Sequence, residues 1–198
     1  MPQRIVIGIS GASGAVYGVR LLQALADIPN VQAHLVVSNA GWRTLRHELD
    51  LTPAYVQSLA DVMHDNDNIG ASIASGSFAA HGMVIAPCSM RSLAAIAHGL
   101  ADNLLTRTAD VMLKERRRLI LMARETPLHL VHLRNMTMVT EMGGIICPPV
   151  PAFYQHPQSI DDIVRHSVAR VLDLLGLEHA LATAWPGLAL CDADTPAP

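Results

Sequence analysis

One stretch near the start, Ile5–Val19 (IVIGISGASGAVYGV), limits what this chain can fold into more than any other. Ile5-Val6-Ile7-Gly8-Ile9 is an unbroken apolar run of strand length, Ser10–Gly14 is a Gly/Ser-rich turn, and a helix starts at Ala15. That order leaves backbone N–H groups and the positive end of a helix dipole at the turn, a ready seat for a phosphate. A bare strand-to-helix turn needs fewer glycines and serines than stand here.

The sequence then removes several phosphate ligands. A Walker P-loop needs a lysine directly after its last glycine, and the only lysine in the chain is Lys114. The turn also resembles that of a short-chain dehydrogenase, but Tyr-x-x-x-Lys is missing: the residue four before Lys114 is Asp110. A dinucleotide site wants G-x-G-x-x-G and an acidic residue ending the second strand. Here Ser10 replaces the middle glycine, and the second strand (His34-Leu35-Val36-Val37) ends on Ser38. Without that ribose anchor a mononucleotide such as FMN fits better.

With 198 residues, 51% of them apolar and only 16% charged, the chain suits one α/β domain with a full core. So sparse a surface charge is expected to be partly covered between subunits. A net charge of −3 argues against nucleic acid or an anionic membrane as partner. Cys88, Cys147 and Cys191 form no C-x-x-C pair, which points to a reducing compartment. The longest uncharged run, Asn68–Met90, is broken by Gly, Ser, His and Pro and is no membrane span. Because the first strand begins at once, no signal peptide is expected. A cytoplasmic setting is expected.

Helical spacing predicts helices over 15–26, 41–48, 53–61, 90–98, 103–117, 128–142 and 160–175, with Ser89 and Ser159 as N-caps. Gly82–Ala86, Leu119–Ala123 and Ile145–Cys147 read as further buried strands, and 65–81 as irregular. The Arg116–Arg118 run reads as a solvated helix end, and Met136–Met142 as core or subunit contact. Alternating strands and helices, each strand continuously apolar, give a single Rossmann-like or flavodoxin-like α/β domain with a parallel sheet covered on both faces. Residues 1–186 are expected to form this FMN-binding domain and 187–198 a loose tail.

Ligands in such sheets bind beyond the carboxyl ends of the strands. Those ends are Ser10–Gly14, Ser38, Pro87–Ser92, Arg124-Glu125 and Pro148–Tyr154. A helix N-terminus stabilises an anion by only ~0.3–1 kcal/mol, so a strongly held phosphate needs a cation, and Arg124 is well placed.

Six motifs now carry a resemblance. They are Gly11-Ala12-Ser13-Gly14-Ala15, Ala74-Ser75-Gly76-Ser77, Pro87-Cys88-Ser89, the run from Arg107 to Arg117 (R-x-A-D-V-x-L-K-E-R-R), Arg124-Glu125-x-Pro127, and Pro151-x-Phe153-Tyr154-x-x-Pro157-x-Ser159. In this order, from the first strand to about Trp185, they resemble the UbiX/Pad family of flavin prenyltransferases. The resemblance implies transfer of a dimethylallyl group from dimethylallyl phosphate to N5 and C6 of reduced FMN, the prenylated FMN then serving a UbiD-type decarboxylase. It implies that Gly11, Ala12, Ser13, Ser38, Ser89, Met90, Arg91, Ser92 and Arg124 hold FMN. Tyr154 and Arg170 would hold dimethylallyl phosphate, Lys114 and Arg107 would add cations, Glu125 would be the acid/base group, and Ser13 would help move a proton at the flavin. Glu48 and Trp185 match positions near the site. The family assembles as a dodecamer with active sites between subunits. Two positions depart from its pattern: Asn39 replaces the usual Lys, and Arg118 the usual Pro.

Metal-dependent readings find less support. A terpene-synthase D-D-x-x-D would need Asp where Arg165 stands after Asp161-Asp162, and that pair reads as helix-start charge. His129 and His132 share a helical face without a third ligand nearby. Two rivals stay open: an FMN-dependent cysteinyl decarboxylase of the related branch, to which Asn135-Met136 bears a distant likeness, and an FMN carrier for electron transfer.

Overall fold

The computed structural model describes residues 2–181. In chain order its elements are β1 (Gln3–Ile9), α1 (Ala15–Ala26), β2 (Val31–Val37), α2 (Asn39–Leu49), α3 (Pro53–Ser58), β3 (Val62–His64) and β4 (Ala80–Cys88). They are followed by α4 (Met90–Ala97), α5 (Leu104–Lys114), β5 (Arg118–Ala123), α6 (Leu130–Glu141), β6 (Ile145–Ile146) and α7 (Ile160–Leu175). The six strands form one parallel sheet in the order β3-β2-β1-β4-β5-β6. The order reverses between β1 and β4, so a crevice opens beyond their carboxyl ends.

Period-two alternation sends β1 to both faces of the sheet. Ile5, Ile7 and Ile9 enter the core under α1 and α7, while Val6 joins Met83 and Ile85 under α4 and α5. Side-chain caps set the helix starts. Ser38 Oγ accepts from Gly41 N–H, Thr52 from Tyr55, Ser89 from Ser92 and Asn103 from Thr106. Ser159 and Asp162 make a reciprocal capping box at the start of α7.

The structure corrects three expectations. Helix α3 stops at Ser58 because Asp61 turns the chain back onto β2: its carboxylate accepts from Ala33 N–H at 2.7 Å, and its own N–H donates to Ala33 C=O at 3.1 Å. The next residues then pair as the short edge strand β3, which the sequence did not reveal. The arginine run is no simple solvated end. Arg117 donates to the carbonyls of Phe78 and Gly76, and Arg118 opens β5 and donates to Leu175 C=O. Residues 187–198, expected as a tail, lie outside the described residues, as do Trp185 and Cys191.

A histidine pair sits at the β2–β3 edge. His34 is 5% exposed, its Nδ1 lies 3.0 Å from His64 Nε2, and Phe78 packs edge-on against it with Arg4 above the Phe78 ring. Burial, then the neighbouring His64 and Arg4, against a smaller opposing pull from Asp61, hold His34 down to about 4. Burial also lowers His64. The folded state therefore resists protonation that the unfolded chain accepts near 6.5. Stability is complete above that value and falls as pH drops from 6.5 towards 4, by on the order of 3 kcal/mol for His34 alone. Glu48 and Asp162, held below their ordinary values of 4.5 and 3.8, lose their contributions only at lower pH. The urea midpoint of the native chain is expected to fall between pH 6.5 and 4.5, and by much less in His34→Gln. An equal fall in both would show that His34 is not responsible.

Candidate active site

The Ser10–Gly14 turn is locked to the exit of β4. Ser10 Oγ donates to Pro87 C=O at 2.8 Å and accepts from Ser89 N–H at 2.7 Å, while Ser10 N–H donates to the same carbonyl at 3.2 Å. Both β1 and β4 are central, so this junction is rigid. Ala86–Pro87 and Thr126–Pro127 are cis. Gly11 lies so close to α2 that a Cβ would stand 2.3 Å from Ala40 Cβ, which only glycine avoids.

The phosphate seat expected at the N-terminus of α1 is already filled from within the chain. Glu48 accepts from Gly14 N–H at 2.9 Å and from Ala15 N–H at 3.0 Å. Desolvation pushes Glu48 up, but hydrogen bonds from the Ser13 side chain and the Gly14 and Ala15 N–H groups, with the charge of Arg124, outweigh it and hold the carboxyl below its usual value. A second anion there would meet a carboxylate. The sequence held one signal of this: Glu48 lies in the last turn of α2, where the dipole disfavours an acid, so a remote partner is needed.

The anion-sized space lies next door. A cavity of about 510 Å³ is lined by Gly11, Ser38, Asn39, Ala40, Arg43, Asn66, Asp67, Ser89, Arg91, Ser92, Asp102 and Asn103. It falls within the roughly 300–1,000 Å³ of cofactor sites. The N-termini of α2 and α4 bound it; Ser38 Oγ accepts from Gly41 N–H, and Ser89 Oγ donates to Ser92 Oγ, which leaves the Ser38 and Ser92 hydroxyl protons for a ligand. Three hydroxyls, two helix ends and a glycine that leaves room for a close approach suit a flavin mononucleotide.

Of the residues expected at the cofactor, Gly11, Ser38, Ser89, Arg91 and Ser92 line this cavity. Ala12, Ser13 and Met90 adjoin it in the chain. Arg124, whose N–H donates to Cys88 C=O at 3.2 Å, stands close enough for its charge to help lower Glu48 and to oppose the burial that raises Tyr17. Glu125 is exposed at the same strand end, its Oε1 3.0 Å from Thr126 N–H. Sequence reasoning missed Arg43 and gave Glu48 too small a part.

The other expected site residues are not brought to this cavity within one chain. Lys114 ends α5 at the amino edge of the sheet, paired with Glu115 and packed on Gly76, whose missing Cβ makes room for both side chains. That contact accounts for the glycine within the motif Ala74–Ser77. Arg107, on the same helix, pairs with Asp110 at 2.7 Å. Tyr154 and Arg170 lie on the β6 side: Tyr154 Oη is 3.2 Å from His166 Nε2, and Arg170 pairs with Asp173, which also takes His179 Nε2 at 2.9 Å.

The fold and this strand-end cavity define a parallel α/β flavoprotein, and a Flavoprotein family model matches residues 1–172. The chain belongs to that family, and within it to the UbiX flavin prenyltransferases. It is 56% identical over 187 residues to flavin prenyltransferase UbiX of Escherichia coli K12, covering 93% of this chain and 99% of the relative. The crystal structure of AnUbiX (PadA1) in complex with FMN and dimethylallyl pyrophosphate superposes with a TM-score of 0.93 at 49% identity, covering 96% of this chain and all of that one. A dodecameric FMN-dependent UbiX-like decarboxylase from Escherichia coli O157:H7 gives a TM-score of 0.91 at 49% identity, covering 93% of this chain and all of that one.

Proposed function

We propose that the protein is a flavin prenyltransferase that joins the dimethylallyl group of dimethylallyl phosphate to N5 and C6 of reduced FMN and passes the prenylated FMN to a UbiD-type decarboxylase. The observation that carries this reading is the presence, in one chain, of an FMN-sized cavity and two further cationic sets. Lys114 with Arg107, and Tyr154 with Arg170, would be idle in an FMN carrier. The same sets argue against a cysteinyl decarboxylase, which does not need them, and Asn135 is buried in α6.

Bound in reduced form, FMN supplies the electron-rich atoms that take the prenyl carbon. The chain supplies the rest. Tyr154 and Arg170 hold the phosphate, and Lys114 and Arg107 stabilise the negative charge that grows on it as the allylic C–O bond breaks. Cationic side chains meet that need without a metal ion. Glu125 moves the proton released when the second bond forms. Ser13 hydrogen-bonds through its side chain to Glu48 and would help move a proton at the flavin.

Because these groups lie apart in one protomer, the site is completed between copies in a homo-oligomer, a dodecamer like its UbiX-like relative. Exposed apolar side chains support burial between copies: Leu130, Val131 and Leu133 on α6, and Val150, Phe153 and Ile160 around the β6 exit. Among the described residues no helix is long and apolar enough to cross a membrane, and Cys88 and Cys147 are free thiols. A cytoplasmic setting accords with both.

Anaerobic incubation with reduced FMN and dimethylallyl phosphate, followed by the mass of the extracted flavin, tests the reading. One added five-carbon unit is expected. Unmodified flavin from protein that has bound FMN would overturn it.

A further inference from the structure

The cavity between α2 and α4 holds two arginines in different states. Arg91 is tied down, its Nη2 2.6 Å from Asp102 Oδ2. Arg43 lines the same cavity and has no ion pair or hydrogen bond among the described residues. We propose that Arg43 is a further cofactor-binding residue, the cation that meets the phosphate of FMN.

The argument is one of charge and place, and it rests on the FMN reading above. The N-terminus of α1 is closed to an anion by Glu48, so the phosphate must seat between α2 and α4. There the Arg91–Asp102 pair cancels internally, and Asp67, which also lines the cavity and has no ion pair among the described residues, repels a dianion. Helix ends and hydroxyls alone leave that dianion short of positive charge. Arg43 stands four residues after Asn39, one turn on along the same face of α2, beside the Ser38 hydroxyl whose proton is available. A guanidinium in that position can give a phosphate two parallel N–H donors.

Riboflavin carries the same ring system without the phosphate, so it separates this role from a structural one. Binding of FMN and of riboflavin to the full chain is followed by flavin fluorescence. Arg43→Ala is expected to weaken FMN about tenfold, the lower end for a charge-assisted bond because Arg43 is exposed, and to leave riboflavin within about twofold. Arg43→Lys should fall between, and adding Asn39→Lys to Arg43→Ala should recover part of the FMN affinity by returning a cation to that helix face. Equal losses for FMN and riboflavin would make Arg43 a structural residue, and no loss for either would remove it from the site. Native protein that binds neither flavin would instead sink the FMN reading itself.

Discussion

Glu125→Gln is expected to bind FMN as tightly as the native chain and to prenylate it about 10²–10⁴-fold more slowly, the span for losing a positioned acid/base group. Binding is spared because Glu125 does not line the FMN cavity. The fold is spared because the carboxylate is exposed and its bond within the chain, Oε1 to Thr126 N–H at 3.0 Å, survives with an amide oxygen in its place. What is lost is the proton acceptor. Glu48 cannot stand in for it, since it is ionised and its oxygens are engaged by Gly14, Ala15 and Ser13. Rates are read as prenylated flavin formed per enzyme under reducing conditions. A full rate would remove Glu125 from the chemistry, and weaker FMN binding would make it a cofactor ligand instead.

How much of this was legible in the sequence depends on how local each signal was. Helices α1 and α7 have the expected ends, 15–26 and 160–175, because apolar spacing and the Ser159 cap are properties of neighbouring residues. The strand-end hydroxyls were legible too, since Ser38 and Ser89 each follow an apolar run and cap the next helix. Strand β3 was not: three residues are too few for a period, and Asp61 places them by reaching back to Ala33 across 28 positions. Glu48 reaches back 34 positions to Gly14, which turned the expected phosphate seat into a carboxylate site. Arg117 and Arg118 look solvated until the 76–78 loop and the end of α7 supply carbonyls. Lys114 is the sharpest case. The motif around it was readable, but its distance from the cofactor turn depends on strand order and direction, which no local pattern encodes.

That placement leads to the second large effect. Lys114→Ala alone should cost about 10²–10³ in rate, as removal of one preorganised charge does. Mixed with Glu125→Gln, it should partly recover. Lys114 closes α5 shortly before β5 begins at Arg118, whereas Glu125 stands just beyond Ala123, the last residue of β5. Six strand residues at about 3.3 Å each put the two roughly 20 Å apart at opposite edges of the sheet. A lysine side chain cannot cross that span within its own chain, but in a symmetric assembly it can reach a neighbour's strand ends. Co-expression of the two variants then yields sites that take Glu125 from one chain and Lys114 from another. With equal, random mixing, half the chains carry an intact Glu125 and half an intact Lys114, so about one quarter of the sites are whole. Recovery of about a quarter of native activity is expected from two nearly inactive parents, measured on co-assembled oligomers purified through tags on both chains. Activity no higher than that of the parents would place Lys114 and Glu125 in the same chain's site, or Lys114 outside the site altogether.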